Sequence, residues 1–535
     1  MATGGGRRGG TLILSAMIFA VSMTFIDQTI VALSIPELQR DLGLSPTGTQ
    51  WIINAYLLSL SALFALGGKL ADVAGHRRMV VTGVIVFAGA SLMCGLTPDA
   101  AVAEPWLITF RVIQGAGAAI MIPAALAIVV SAFDISTRGR ALAVFFGITG
   151  GLTAVGPLAG GYLTEWTWRS IFWVNVPIAI IALVLTTIAK PADRRAPAPI
   201  DWPGAGLVAG GMGLSVLGLQ QSSEWGWTSP ATILCIVGGL LILAAFVRHE
   251  LRTETPLVDL RMFKNRGFAS ANAVLFLLMM VFIPVFFFAS MYSQITLGDD
   301  ASSAGLFLLV FFAGFGAAAQ WGGNVYDHRG VRAAVLPGCV VGAVGFYLWA
   351  RSLDDFALGD QWIYIVLAGA GCGLILGPAS TEALNRISAD RYGQATGINQ
   401  TLRNFGASVG MAVLGTVLIS RTKANVESSL GDLGLPQSQA DTVADALSQS
   451  GGGAAHSSFA DATGPAAERV FDAVRHDFAQ STQTVFYIMA GILAATYILA
   501  HIWLPKDRVT ATAPEGGVAP QPPATPETET TTGGT

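Results

Sequence analysis

Charge is what this sequence has least of. Lysine, arginine, aspartate and glutamate make up only 12% of its 535 residues, about half the roughly 25% of a soluble domain. A water-soluble globular protein of this length is thereby excluded. Cysteine is nearly absent as well: Cys94, Cys235, Cys339 and Cys372 stand singly in apolar stretches. That spacing excludes a disulfide framework and a zinc cluster, and leaves four buried small hydrophobes. The six histidines show no metal-ligand spacing. No GxxxxGK(S/T) loop is present to cradle nucleotide phosphates, so any work the chain performs draws on a gradient. Clustered acids and a Ser/His pair are missing too, which sets a membrane enzyme or receptor behind other readings. Neither a metal nor a cofactor is expected.

Long apolar runs are what the chain has instead, since hydrophobic residues make up 53% of it. About 20 apolar residues cross ~30 Å of hydrocarbon as a helix. Fourteen candidates satisfy this: 11–33, 50–70, 79–98, 105–131, 139–163, 171–189, 204–220, 231–248, 268–294, 303–325, 332–351, 361–385, 394–420 and 484–504. The first is too long and too polar at its centre for a cleavable signal, and further spans follow at once. Alternating the loops between two sides places 21 of the 30 lysines and arginines on the side of the N-terminus and 7 on the other, with Arg111 and Arg403 inside spans. The positive-inside rule then puts both termini in the cytoplasm. Those basic loops need no nucleic-acid partner to explain them.

An internal repeat organises the spans. Gly68, Asp72, Gly75 and Arg77, in the loop after the second span, recur as Gly323, Asp327, Gly330 and Arg332, each 255 residues later. Adding 255 to the span starts at 11, 105 and 139 gives 266, 360 and 394, beside the starts at 268, 361 and 394. The reading is an all-α polytopic membrane protein in which two six-span bundles, 11–189 and 268–504, flank two additional helices at 204–248. Carriers built from such repeats bind substrate near the midplane where the halves meet. A tail at 1–10, linkers at 190–203 and 249–267, an outer loop at 421–483 and a disordered tail at 505–535 complete the division. The outer loop contains an amphipathic run at 467–479 with Val470, Phe471, Val474 and Phe478 on one side.

Several strings stand in order along the chain: Asp27-Gln28-Thr29-Ile30-Val31; Gly68 to Arg78; Arg111-Val112-Ile113-Gln114-Gly115-Ala116-Gly117; Gly156-Pro157-Leu158-Ala159-Gly160-Gly161; Trp168-Arg169 with Asn175-Val176-Pro177; and Pro256-Leu257-Val258-Asp259. Together they resemble the major facilitator superfamily, and within it the fourteen-helix drug:proton antiporter family of the EmrB and QacA kind. The likeness spans residues 11 to 505. It implies alternating access, with a gate at the repeated loop (Gly68, Asp72, Gly75, Arg77, Arg78, Asp327, Gly330, Arg332). It also implies an antiporter motif at Gly156, Pro157, Gly160 and Gly161, although Leu152 and Ala143 stand where that family carries further glycines.

Two ionisable groups inside spans are functional candidates by default, because a charge in hydrocarbon costs about 2.5–3.5 kcal/mol. Asp27 lies about six residues from the outer end of the first span and Arg111 about six from that of the fourth, a shared depth of ~9 Å. They are expected to pair and to carry the coupled proton. Asp72 is expected to meet Arg77 and Arg78 and the N-terminal dipole of a neighbouring helix. Arg403 has no carboxylate at its depth and meets either a water-filled cavity or backbone carbonyls. Glu382 is one helical turn from Arg386 and is expected to pair with it. Asn54, Tyr56, Gln114, Asn272, Phe286, Met291 and Gln320, with Glu382 and Arg403, are the candidate cavity lining, and Met279, Met280, Phe282, Phe287 and Phe288 thicken its aromatic and methionine character. The expected activity is proton-driven efflux of amphipathic or aromatic small molecules by a monomer in the lipid bilayer. The alternative is export of one dedicated antibiotic, metabolite or lipid.

Overall fold

The computed structural model describes residues 4–98, 102–193, 195, 197–298, 301–355, 358–432 and 467–507. Among them there is no strand. The helices are α1 (Gly4–Leu42), α2 (Pro46–Ala74), α3 (His76–Gly95), α4 (Ala103–Ala132), α5 (Arg138–Trp166), α6 (Ser170–Trp173), α7 (Asn175–Ala189), α8 (Trp202–Trp225), α9 (Pro230–Glu250), α10 (Arg266–Tyr292), α11 (Ala301–Arg329), α12 (Val331–Arg351), α13 (Leu358–Asn385), α14 (Tyr392–Asp432) and α15 (Ala467–Trp503). Thirteen spans among the described residues are long and apolar enough to cross a membrane, with α6 and α7 counted as one. The fourteenth is α5, 29 residues long and packed between α1 and α11. Successive spans alternate direction, so the start of α1, the α2–α3 turn, the α11–α12 turn and the end of α15 share one end of the bundle, here the basic face.

Local chemistry fixes the helix ends. Ser45 Oγ accepts from Gly48 N at 2.9 Å, with Pro46 at the first position of α2. Asp201 Oδ1 accepts from Gly204 N at 2.9 Å at the start of α8, and Asn265 Oδ1 from Gly267 N at 3.0 Å at the start of α10. These satisfy donors that a helix cannot satisfy itself. The repeat is visible in the turns: Gly75 (φ 107°) and Gly330 (φ 83°) both take a left-handed conformation open to glycine at no steric cost.

Burial separates inner from outer helices. The most apolar window of α4 is 78% buried within the protein and that of α9 only 17%. Leu234, Ile188 and Trp321 are large apolar side chains left exposed on such spans. The additional helices α8 and α9 pack on each other, and α8 lies against α2 and α14, beside the seam between the two bundles.

The helices run past the apolar spans read from sequence. α14 continues to Asp432 rather than ending near 420, and α15 begins at Ala467 rather than 484. Hydropathy marks where lipid ends, not where the helix ends. The two extensions pair away from the basic face: Ser429 Oγ donates to Asp477 Oδ1 at 2.9 Å and Asn425 Nδ2 to Ser481 Oγ at 3.2 Å. Val426 and Leu430 are buried with Val470, Val474 and Phe478. The amphipathic run is therefore the first turns of the last helix, while 433–466, the rest of the expected loop, lies outside the described residues. Phe478→Ala is expected to cost about 3–5 kcal/mol, as for buried phenylalanines elsewhere. A lowered unfolding temperature of the purified protein checks it, and an unchanged one removes this packing from the account.

Candidate functional site

The first constellation is a buried ion pair in the N-terminal bundle. Asp27 of α1 is 0% exposed and Arg111 of α4 is 1% exposed. Arg111 Nη1 donates to Asp27 Oδ2 at 2.5 Å and to Gln114 Oε1 at 2.8 Å, and Gln114 Nε2 donates to Asp27 Oδ1 at 2.8 Å. Arg111 Nε donates to the carbonyl of Ile52 at 3.0 Å, and the guanidinium lies over the Tyr56 ring at 4.5 Å from its centroid. From α7, Asn175 Nδ2 reaches Asp27 Oδ1 at 3.4 Å and Ser91 Oγ of α3 at 3.0 Å. Arg111, Gln114 and Asn175 all donate to the Asp27 carboxyl oxygens. Gln114 and Tyr56, expected along the cavity, belong to this cluster. Asn175 enters the sequence reading only within the Asn175-Val176-Pro177 string and Ser91 not at all; an asparagine and a serine in apolar helices give no pairing signal by themselves.

The second constellation is duplicated by the repeat and joins the two bundles at the basic face. Asp72, at the end of α2, accepts from Gly393 N at 2.7 Å and Gln394 N at 2.8 Å, the first turn of α14. Asp327, at the end of α11, accepts from Gly139 N at 3.0 Å and Arg140 N at 3.1 Å, the first turn of α5. Each carboxylate thus caps a helix of the opposite bundle, where orphan N–H groups and the helix dipole favour negative charge. Gly68 and Gly323 sit where those helices cross. A Cβ at Gly68 would overlap the Gly393 carbonyl, and one at Gly323 the Gly139 carbonyl.

The expected pairing of Asp72 with Arg77 and Arg78 does not occur. Both carboxylate oxygens are taken by backbone N–H groups, and the side chain beside Asp72 is His76, at 3.0 Å. Arg77 instead donates its backbone N–H to Asp193 Oδ1 at 3.2 Å, in the linker before α8. The second linker also closes on this region: Lys69 Nζ donates to the Pro256 carbonyl at 3.1 Å, and Asp259 Oδ2 accepts from Arg391 Nη1 at 2.5 Å. Arg332 does not join Asp327 either; its guanidinium holds the carbonyls of Leu504 and His501 at the end of α15. Gly139 and Gly393 were missed from sequence although they stand 254 residues apart, close to the repeat interval.

The remaining candidates divide. Glu382, near the basic end of α13, accepts from Arg386 Nε at 2.7 Å and from Tyr326 Oη at 3.0 Å. It belongs to a buried network there, with the Arg386 pairing its spacing predicts, and not to a midplane cavity. Asn54 donates to Gln221 Oε1 of α8 at 3.0 Å, so it faces the additional pair. Asn272 accepts from Asn399 Nδ2 at 3.2 Å and donates to the Phe268 carbonyl at 2.8 Å. Gly156 of α5 abuts Thr29 of α1, two residues past Asp27, so closely that a Cβ would overlap the threonine hydroxyl. Gly160 is buried, while the surroundings of Pro157 and Gly161 fall outside the described residues.

Phe286 packs with Phe282, Phe311 and Phe312 at centroid distances of 4.9, 5.7 and 5.0 Å. Phe312 and Phe315 face Gly150 of α5, and Gln320 faces Gly147 one turn away. This aromatic wall therefore meets the N-terminal bundle. Phe287 is 49% exposed and points elsewhere, and Met291 is buried near the far end of α10. Arg403 of α14 lies over the ring of Phe146 at 4.9 Å and donates from Nη1 to Gln400 Oε1 at 2.7 Å.

Comparison with known proteins finds relatives along most of the chain. A family model described as the Major Facilitator Superfamily matches residues 17–411. The cephamycin export protein of Amycolatopsis lactamdurans is 34% identical over 440 residues, 78% of this chain and 88% of that protein. The multidrug resistance protein Stp of Mycobacterium tuberculosis is 29% identical over 510 residues, 94% and 93% of the two chains. Among solved structures, that of the proton:xylose symporter XylE superposes with a TM-score of 0.58 at 13% identity, covering 94% of this chain and 97% of the other, a likeness of fold.

Proposed function

The chain belongs to the Major Facilitator Superfamily, and from that premise we propose that it is a proton-driven exporter of amphipathic or aromatic small molecules. The observation that carries the proposal is the Asp27–Arg111 pair, fully buried within a membrane-spanning bundle. Such a pair is costly to build and has the chemistry of a proton site: a carboxylate whose charge is held by a single guanidinium and two amides. Protonation would discharge Asp27 and loosen its hold on α4 and α7. The proximity of Gly156 to Thr29 supplies a mechanical link from the pair to α5, and through α5 to the C-terminal bundle.

In this reading the Asp72 and Asp327 caps are the gate. They close the basic face, and alternating access requires that both release together. The basic face is the cytoplasmic one, both termini lie in the cytoplasm, and the protein works as a monomer in the bacterial cytoplasmic membrane. The cephamycin exporter and the multidrug resistance protein among its relatives support export as the direction and antibiotics as a substrate class.

Expression in an efflux-deficient bacterium tests this. Resistance to several unrelated aromatic compounds of differing charge is expected to rise, with faster dye efflux from energised cells. Resistance to one compound alone would favour a dedicated exporter, and no change for any member of the panel would remove the export reading.

A further inference from the structure

Arg403 has no place in the proton site or the gate. It stands eleven residues past Tyr392, the first residue of α14, which puts it about 16 Å from the basic end and near the middle of a ~30 Å hydrocarbon layer. Its side chain is 7% exposed and reaches from the C-terminal bundle onto Phe146 of the N-terminal one. Among the described residues it meets no carboxylate: Gln400, a neutral amide, accepts from Nη1, and Nε is buried with no hydrogen-bond partner.

Other arginines show what a structural role looks like in this fold. Arg111 has a carboxylate, an amide and a carbonyl, while Arg266 and Arg332 hold backbone carbonyls at the end of α15. Arg403 does neither, and a buried guanidinium left this way is strongly unfavourable unless an anion completes it. Phe146 and Gly150 lie four residues apart on one face of α5, and Gly150 is where the aromatic wall of Phe312 and Phe315 arrives. A cation with a bare donor and a wall of rings are therefore one helical turn apart, ~5.4 Å, where the bundles meet.

We propose that Arg403 binds an anionic group, a carboxylate or phenolate, on the compound that is carried, and that the phenylalanine wall stacks on its ring. The guanidinium fork fits a planar anion through two parallel hydrogen bonds. This rests on the export reading, to which it adds that aromatic acids are the favoured substrates.

The test is calorimetric binding to the full-length chain in lipid nanodiscs, using 2-naphthylacetic acid and its isosteric neutral amide as probes. The wild type is expected to bind the acid at least about tenfold more tightly than the amide. Arg403→Gln is expected to bring the two within twofold, and Arg403→Lys to keep part of the preference. Equal wild-type affinities, binding of neither probe, or an unchanged ratio in Arg403→Gln overturns the assignment. Should Arg403→Gln fail to fold, the wild-type ratio and Arg403→Lys decide. The export reading fails separately, if no compound of the resistance panel is exported, whatever the binding ratio.

Discussion

Asp27→Asn is expected to abolish accumulation of exported compounds against a gradient while leaving energy-independent exchange in place. The substitution keeps the size of the side chain and the contacts with Gln114 and Asn175, but fixes it in a neutral form like the protonated acid. A proton moving through 100 mV supplies about 2.3 kcal/mol, enough for roughly fifty-fold concentration; losing the coupling loses all of it. Arg111→Ala is the complementary change. It leaves the Asp27 charge buried without its cation, at a cost of about 3–5 kcal/mol, so it is expected to lower both stability and transport. Arg111→Lys keeps the charge but cannot serve Asp27, Gln114 and the Ile52 carbonyl from one planar group, and is expected to fall between. Uptake into everted vesicles under an imposed pH gradient reads all three. Wild-type accumulation by Asp27→Asn would place the proton on another residue.

The second large effect is expected at the gate. Asp72→Asn combined with Asp327→Asn removes both charges that cap a helix of the opposite bundle. Each charge–dipole contact contributes about 0.3–1 kcal/mol when exposed and up to ~2 kcal/mol when partly buried. Because the two caps are related by the repeat, their loss weakens one conformational state twice. Efflux is expected to fall about tenfold or more with unchanged amounts of protein in the membrane. Opening can be read directly at Thr396, whose hydroxyl is buried against the Pro123 carbonyl of the other bundle at 3.0 Å. In a background free of other cysteines, Thr396→Cys should react faster with an impermeant thiol reagent from the basic face once both caps are neutralised. Equal labelling with and without the caps, together with normal efflux, would reduce them to helix caps with no gating role.

How much of this was legible in the sequence depends on which interaction set each feature. The spans were legible because hydrocarbon imposes a length, and the 255-residue repeat places Asp72 and Asp327 at equivalent turns. Shared depth in the membrane pairs Asp27 with Arg111, since two charges in apolar helices have few partners to choose from. That Asp72 meets the N-terminus of a neighbouring helix was legible, but which helix it caps, and what Asp27 and Arg111 touch besides each other, was not. Asp72 turns to backbone N–H groups of α14, and backbone donors carry no sequence signature except the glycine that lets helices approach. Asn54 faces α8 because the additional pair sits against α2, a packing choice that hydropathy does not encode. The helical extension of α14 escaped notice, and the amphipathic run at 467–479 was not joined to the last span, because polar residues outside the lipid weaken the apolar signal while the helix runs on. Glu382 joined Arg386 as its four-residue spacing implies, but Tyr326, which comes from another helix, could not be inferred.

The central claim is that proton movement drives export, and reconstituted wild-type protein tests it most directly. Proteoliposomes with an acidic lumen are given a fluorescent compound from the resistance panel, and lumenal pH and uptake are followed together. The account predicts uptake only while the gradient stands, alkalinisation of the lumen as the compound enters, and loss of both on adding a protonophore. Uptake at the same rate with no gradient, and with no change in lumenal pH, would contradict it.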